Sequence, residues 1–144
     1  MSEAGFALHP RLAADAAPVA DLALCRVLLM DDARWPWLIL VPRRAGVREL
    51  VDLSPADQQA LTGEIARASR MLQTLFSPDK LNVAALGNVV EQLHVHVIAR
   101  YRNDPAWPAP VWGFEPDQRR AVGQPEARIA ELRQALELPA AAGE

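Results

Sequence analysis

About two thirds of the way along the chain, the run EQLHVHVIAR (91–100) sets Gln92, His94 and His96 at alternate positions, with Leu93, Val95 and Val97 between them. In an extended strand alternate side chains share a face, so the apolar trio would look into a core. The other trio would form a hydrogen-bonding row with a spacing of ~7 Å. That spacing suits contact with one phosphate and its leaving group. An unperturbed imidazole titrates at ~6.5, so near neutral pH one ring can attack phosphorus while its neighbour donates a proton or a hydrogen bond. Nucleophile and acid can therefore come from a single strand. Two other readings stay open at this point. Alternating histidines can share a zinc ion, although no nearby Cys, Asp or Glu supplies an obvious third ligand and His9 lies far off in the sequence. They can also mark nothing more than an exposed polar face.

The flanking sequence must supply the elements that hold this row. LALCRVLLM (22–30) and WPWLILVP (35–42) read as two strands, joined by the polar turn Asp31-Asp32-Ala33-Arg34 into an antiparallel hairpin with both aspartates at its tip. SPADQQALTGEIARASRMLQTLF (54–76) is a helix with Ser54 as cap and Pro55 in the first turn, and Leu61, Ile65, Ala68, Leu72 and Leu75 form one apolar face for packing on a sheet. Strands at 80–86 and 91–100 follow, linked by Gly87-Asn88. The segment YRNDPAWPAPVWGFEPDQ, rich in proline and tryptophan, predicts an extended and partly ordered tail in which Trp107 and Trp112 pack against the body or a second subunit. A last helix fits 125–138. Hairpin, helix, hairpin, helix describes an α+β domain with an antiparallel sheet and two main helices.

Composition narrows the function classes. With 144 residues and 51% hydrophobic content, one core and a single domain over 1–144 are expected. The 15 basic and 18 acidic residues leave a net charge of -3, which argues against a nucleic-acid polymer as partner. No apolar run approaches the ~20 residues of a membrane span. No export signal is visible at the N-terminus. The single cysteine, Cys25, sits in an apolar run and reads as a small buried hydrophobe, in keeping with a cytoplasmic location. Arg43, Arg44 and Arg100 read as solvated strand ends, any of which could lean toward a phosphate.

QLHVHVI resembles the alternating signature of the histidine triad family, and GNVVEQLHVHVIAR (87–100) is similar, position by position, to its fragile-histidine-triad branch. LILVPRR and ELVDLSPADQQAL resemble the second strand and helix entry of the same family, so the likeness covers roughly residues 20–100, with 101–138 as a Pro/Trp-rich tail and terminal helix. The resemblance implies a HIT-like fold, a symmetric homodimer whose sheets join, and action at the α-phosphate of a nucleotide or dinucleotide without a metal or other cofactor. It makes His94 the nucleophile that becomes a nucleotidyl-histidine, His96 a holder of phosphate oxygens, and Asn88 a further phosphate contact. It also makes Asp31, with Asp32 as competitor, the ribose-binding acid. Leu24, Val27 and Leu29 are its candidates for lining the base.

Two positions depart from the pattern. Gln92 stands where the first histidine would be, although a main-chain carbonyl there can still accept from the His94 ring and leave the opposite nitrogen to attack. Val89 replaces a serine or threonine and removes a hydroxyl that would help protonate a leaving group, which weakens a phosphoramidase reading. The expected function is hydrolysis or transfer at the α-phosphate through His94, with Asn88, Gln92 and Asp31 in the nucleotide site. A non-catalytic nucleotide sensor and a partner-binding scaffold are the rivals.

Overall fold

The computed structural model describes residues 4–118 and 125–137. Five strands, β1 (Ala16–Asp21), β2 (Cys25–Met30), β3 (Trp37–Pro42), β4 (Lys80–Ala84) and β5 (Val95–Arg100), form one sheet in the order β1-β2-β3-β5-β4. Every neighbouring pair is antiparallel. With three helices, α1 (Pro10–Asp15), α2 (Pro55–Phe76) and α3 (Pro125–Glu137), this is the α+β architecture expected from the pattern.

The β2–β3 hairpin and both long helices lie where the periodicity puts them. Ser54 accepts the Asp57 N–H at 3.1 Å and Pro55 opens α2. Ser77, at φ 45, closes it in the left-handed region. The added elements are α1 and β1. Their sequence, PRLAADAAPVAD, has little strand character, and β1 is an edge strand in which Pro18, which has no N–H to donate, and a register shift before Ala20 are tolerated because no further strand pairs on its outer side.

The sheet is covered on both faces. On one, α2 and α3 bury Val27, Leu29, Leu38, Leu40, Val95 and Val97 against Leu61, Leu72 and Leu132. On the other, Leu28, Trp37, Ile39, Val41 and Ile98 pack beneath α1 and residues 106–114. The proline-rich segment is thus folded back onto the sheet rather than extended. The cause is Arg100, 1% exposed, whose guanidinium donates to Asp104 (2.8 and 3.1 Å), Asn82 Oδ1 (2.8 Å) and the Ala109 carbonyl (2.8 Å). Asp104 in turn accepts the N–H groups of Tyr101, Ala106 and Trp107. Burial alone would raise the Asp104 carboxyl, but Arg100 first and then the Tyr101 N–H hold it well below the ordinary carboxylate range.

Arg100 is therefore not a solvated strand end, and neither is Arg43, which is buried and donates to the Cys25 and Ala23 carbonyls. Arg44 ties β3 to the start of α2 through Asp57, at 2.8 and 3.1 Å. A carboxylate also interrupts the apolar face of α2. Glu64, buried, accepts the Leu24 and Cys25 N–H groups at 2.8 Å each and pins the entry of β2. Burial first, and then the Glu64 carboxylate, pushes the Cys25 thiol far up, so it stays protonated and inert. Replacing Glu64 by Leu leaves two buried N–H groups unpaired, each costing ~1–3 kcal/mol. Urea unfolding should show Glu64→Leu less stable than Glu64→Gln, which retains one acceptor. Equal midpoints would mean that the two bonds contribute nothing.

Candidate active site

His94 and His96 come together on the face that carries Trp37 and Ile98, with ring centroids 5.0 Å apart, and both are buried. β5 begins at Val95, so His94 sits just off its end, while His96 lies inside the ladder opposite Ile39 and Ala84. The His94 Nδ1 lies 2.7 Å from the Gln92 carbonyl. A carbonyl only accepts, so Nδ1 carries the proton and Nε2 keeps its lone pair. Trp37 Nε1 donates to His96 Nδ1 at 2.9 Å, and the Trp112 ring stands edge-on to His96 with centroids 5.2 Å apart. Burial first, and then the neighbouring His94, pushes the His96 pKa down to about 3.

The loop between β4 and β5 spans 85–94 and is much longer than a Gly87-Asn88 link. Gly87 takes φ +79, a conformation that suits glycine, and Asn88 beside it is exposed. The Leu93 N–H donates to the Val47 carbonyl and anchors the loop's end. A cleft of about 270 Å³ opens beside His94, bounded by Arg48, Leu50, Val51, Leu86 and Gly87.

The other expected site residues lie differently. The Gln92 side chain donates to the Ala7 carbonyl and accepts the His9 N–H, both at 2.8 Å, so its amide ties down the N-terminal segment with one of its two N–H groups and its carbonyl oxygen. His9 caps α1, its ring accepting the Arg11 N–H at 3.1 Å. Asp32 is buried under Arg34, which contacts it at 2.8 and 3.0 Å, and is engaged in closing the turn. Asp31 is exposed and extends the β1–β2 pairing through Asp15. It lies four residue steps, or ~13 Å along the sheet, beyond Val27, which shares a row with Leu40 and Val95. The ladder does not bring it beside His94, and this placement does not support the ribose expectation. Leu24, Val27 and Leu29 all face α2, across the sheet from the imidazoles, and cannot line a base there. From β2, the side chains with the opposite parity are Arg26, Leu28 and Met30; Leu28 and Met30 pack with Phe6, Leu8 and Leu12 of the N-terminal segment. Trp37 went unremarked in the sequence because its approach to His96 depends on β3–β5 register.

A five-stranded antiparallel sheet with two buried imidazoles in ring contact at the start of the interior strand β5 is the arrangement these residues define. Residues 11–103 match the HIT domain model, and the chain belongs to that family. It is 48% identical to a histidine triad protein from Bradyrhizobium japonicum (TM-score 0.85, covering 90% of this chain and 97% of that one). A histidine triad protein from Sinorhizobium meliloti is 44% identical (TM-score 0.86, 95% and 100% covered). One from Marinobacter aquaeolei is 48% identical (TM-score 0.83, 92% and 96% covered). Comparison with curated proteins gave no match. No helix among the described residues is long and apolar enough to cross a membrane.

The low His96 pKa makes stability depend on pH in a definite direction. Between pH 6.5 and about 3 the unfolded ring binds a proton that the folded ring refuses. The His96 contribution is therefore complete above pH 6.5 and is lost as pH falls toward 3, with a slope of up to ~1.4 kcal/mol per pH unit. The plot of unfolding free energy against pH above pH ~5, where carboxylates contribute little, should be visibly flatter for His96→Gln than for the native chain. Parallel curves would contradict the shift.

Proposed function

We propose that the protein is a nucleotide hydrolase or nucleotidyl transferase acting at the α-phosphate through a covalent nucleotidyl-His94. The observation that carries this is the 2.7 Å contact between His94 Nδ1 and the Gln92 carbonyl, which leaves Nε2 with its lone pair beside a second imidazole. The Nε2 lone pair forms a bond to phosphorus as the bond from phosphorus to the leaving oxygen breaks, and that oxygen departs with the electron pair. Water then attacks the adduct, the P–N bond breaks back to Nε2, and the water proton passes to solvent. His96 donates to phosphate oxygens and the Gly87-Asn88 loop approaches the same group, a role in transition-state stabilisation. This chemistry calls for no metal or organic cofactor.

Val89, 72% exposed, brings no hydroxyl to the site, so the departing group must be stable as an anion. A nucleoside phosphate released from a dinucleoside polyphosphate meets that requirement better than an amine, consistent with the fragile-histidine-triad-like branch. The same absence, with the Gln92 amide committed to Ala7 and His9, favours the second reading, a nucleotide sensor that binds without turnover. His94→Asn separates them. It should abolish any nucleotidyl-protein adduct in rapidly quenched mass spectra while keeping AMP affinity within about tenfold, or ~1.4 kcal/mol. A native protein that binds AMP but never forms adduct is the sensor.

We also assign the working form as a homodimer. β4 is an outer strand, and Val83, Leu86 and Val89 on and beyond it are exposed, as are Leu50 and Val51 across the adjoining cleft. An uncovered apolar edge of this kind invites pairing with a second copy. Light scattering over a dilution series should give twice the chain mass. Val83→Lys should shift the population toward monomer, and a native monomer at every concentration would remove the proposal.

A further inference from the structure

β3 and β5 pair so that Trp37 faces Ile98 and Ile39 faces His96, which makes Trp37 the diagonal neighbour of His96 on one sheet face. Diagonal Cα atoms are ~7–8 Å apart, a distance that a long aromatic side chain spans. The indole does so, with Nε1 at 2.9 Å from His96 Nδ1. An indole N–H can only donate. Nδ1 must therefore keep its lone pair toward Trp37, and the single ring proton must sit on Nε2. Charging the ring would set two N–H groups against each other at that distance. The Trp112 ring, with its centroid 5.2 Å from that of His96 and 6.1 Å from that of Trp37, stands edge-on to both.

We propose that Trp37 is a positioning residue that locks His96 as the neutral Nε2–H tautomer, a donor of one hydrogen bond to an anionic substrate oxygen whose charge does not change near neutral pH. The two imidazoles are then opposite tautomers. His94, held through Nδ1 by the Gln92 carbonyl, presents a lone pair at Nε2, and His96, held through Nδ1 by Trp37, presents a proton at Nε2. β5 and the residue just before it thus supply an attacking base and a fixed donor, and neither can take over the other's role. His94 is the titratable group in ring contact with His96; the groups packed on it from β3 and from the 101–114 segment, Trp37 and Trp112, do not titrate. The strong depression of the His96 pKa by burial agrees with a ring that stays neutral. The acceptor's identity rests on the phosphate-handling reading above, whereas the tautomer does not.

The test is long-range proton–nitrogen correlation NMR on the uniformly labelled full chain without ligand, from pH ~5 to ~8, the range in which an ordinary histidine changes charge. His96 should show an unprotonated Nδ1 and a protonated Nε2, invariant across the range. Trp37→Phe keeps an aromatic ring on β3 and removes the donor together with the second ring. It should populate the Nδ1–H form and weaken AMP binding by about three- to tenfold, the loss of one hydrogen bond. A wild-type His96 that is protonated on Nδ1, or that titrates within the range, overturns the proposal without recourse to any variant. Identical His96 nitrogen signals in the wild type and in Trp37→Phe would assign the tautomer to burial alone and overturn the part given to Trp37. A chain that binds no AMP would refute the proposed function and leave the spectra to decide the tautomer.

Discussion

The buried pair of Arg100 and Asp104 is the interaction on which the site depends. Each charge is costly away from water, and each is compensated almost completely: the guanidinium by Asp104, Asn82 and Ala109, the carboxylate by Arg100 and three main-chain N–H groups. The reward is geometric. A chain leaving the end of β5 is turned back across the sheet, so that Ala106, Val111 and Trp112 cover the face that carries His96. Without that return, His96 would face solvent, and neither its neutrality nor its edge contact with Trp112 would follow. Removal of either charge would strand the other in the interior, which makes the pair a condition for the cover and not an ornament of it.

The opposite end of the same face is organised by a neutral group. The Gln92 side chain is a tie between the loop before β5 and the N-terminal segment, while its main-chain carbonyl orients the His94 ring. One residue therefore connects two things that could have varied independently: the orientation of the His94 ring and the placement of Phe6, Leu8 and α1 over β2. An imidazole there could not offer the Ala7 carbonyl and the His9 N–H the same paired donor and acceptor at one amide. The immediate effect of Gln92 is thus structural.

Three features were legible in the sequence alone, and for local reasons. The alternation of His94 and His96 with valines, the capped and amphipathic α2, and the β2–β3 hairpin each depend on residues a few positions apart, whose periodicity and end chemistry are written into the chain. The α+β class followed from their order. By contrast, α1 and β1 carried almost no local signal, because an alanine-rich edge strand is made by its neighbour and not by its own propensity.

Which face each strand shows to the imidazoles was beyond local pattern. Val27 and Leu29 look as suitable as Leu28 for lining a base, and only the β2–β3–β5 ladder decides that the first two belong with α2. A shift of one residue would exchange the faces. Asp31 and Asp32 looked interchangeable at a turn, but one is buried beneath Arg34 and the other is carried past the row that ends at His94. Trp37 and His96 are 59 residues apart in the chain, as Arg100 and Asn82 are 18 apart, and their contacts exist only once the strands are in register. Spacing could nominate the reacting groups. Their tautomers, their burial and the partners that hold them are properties of side chains brought together by the fold.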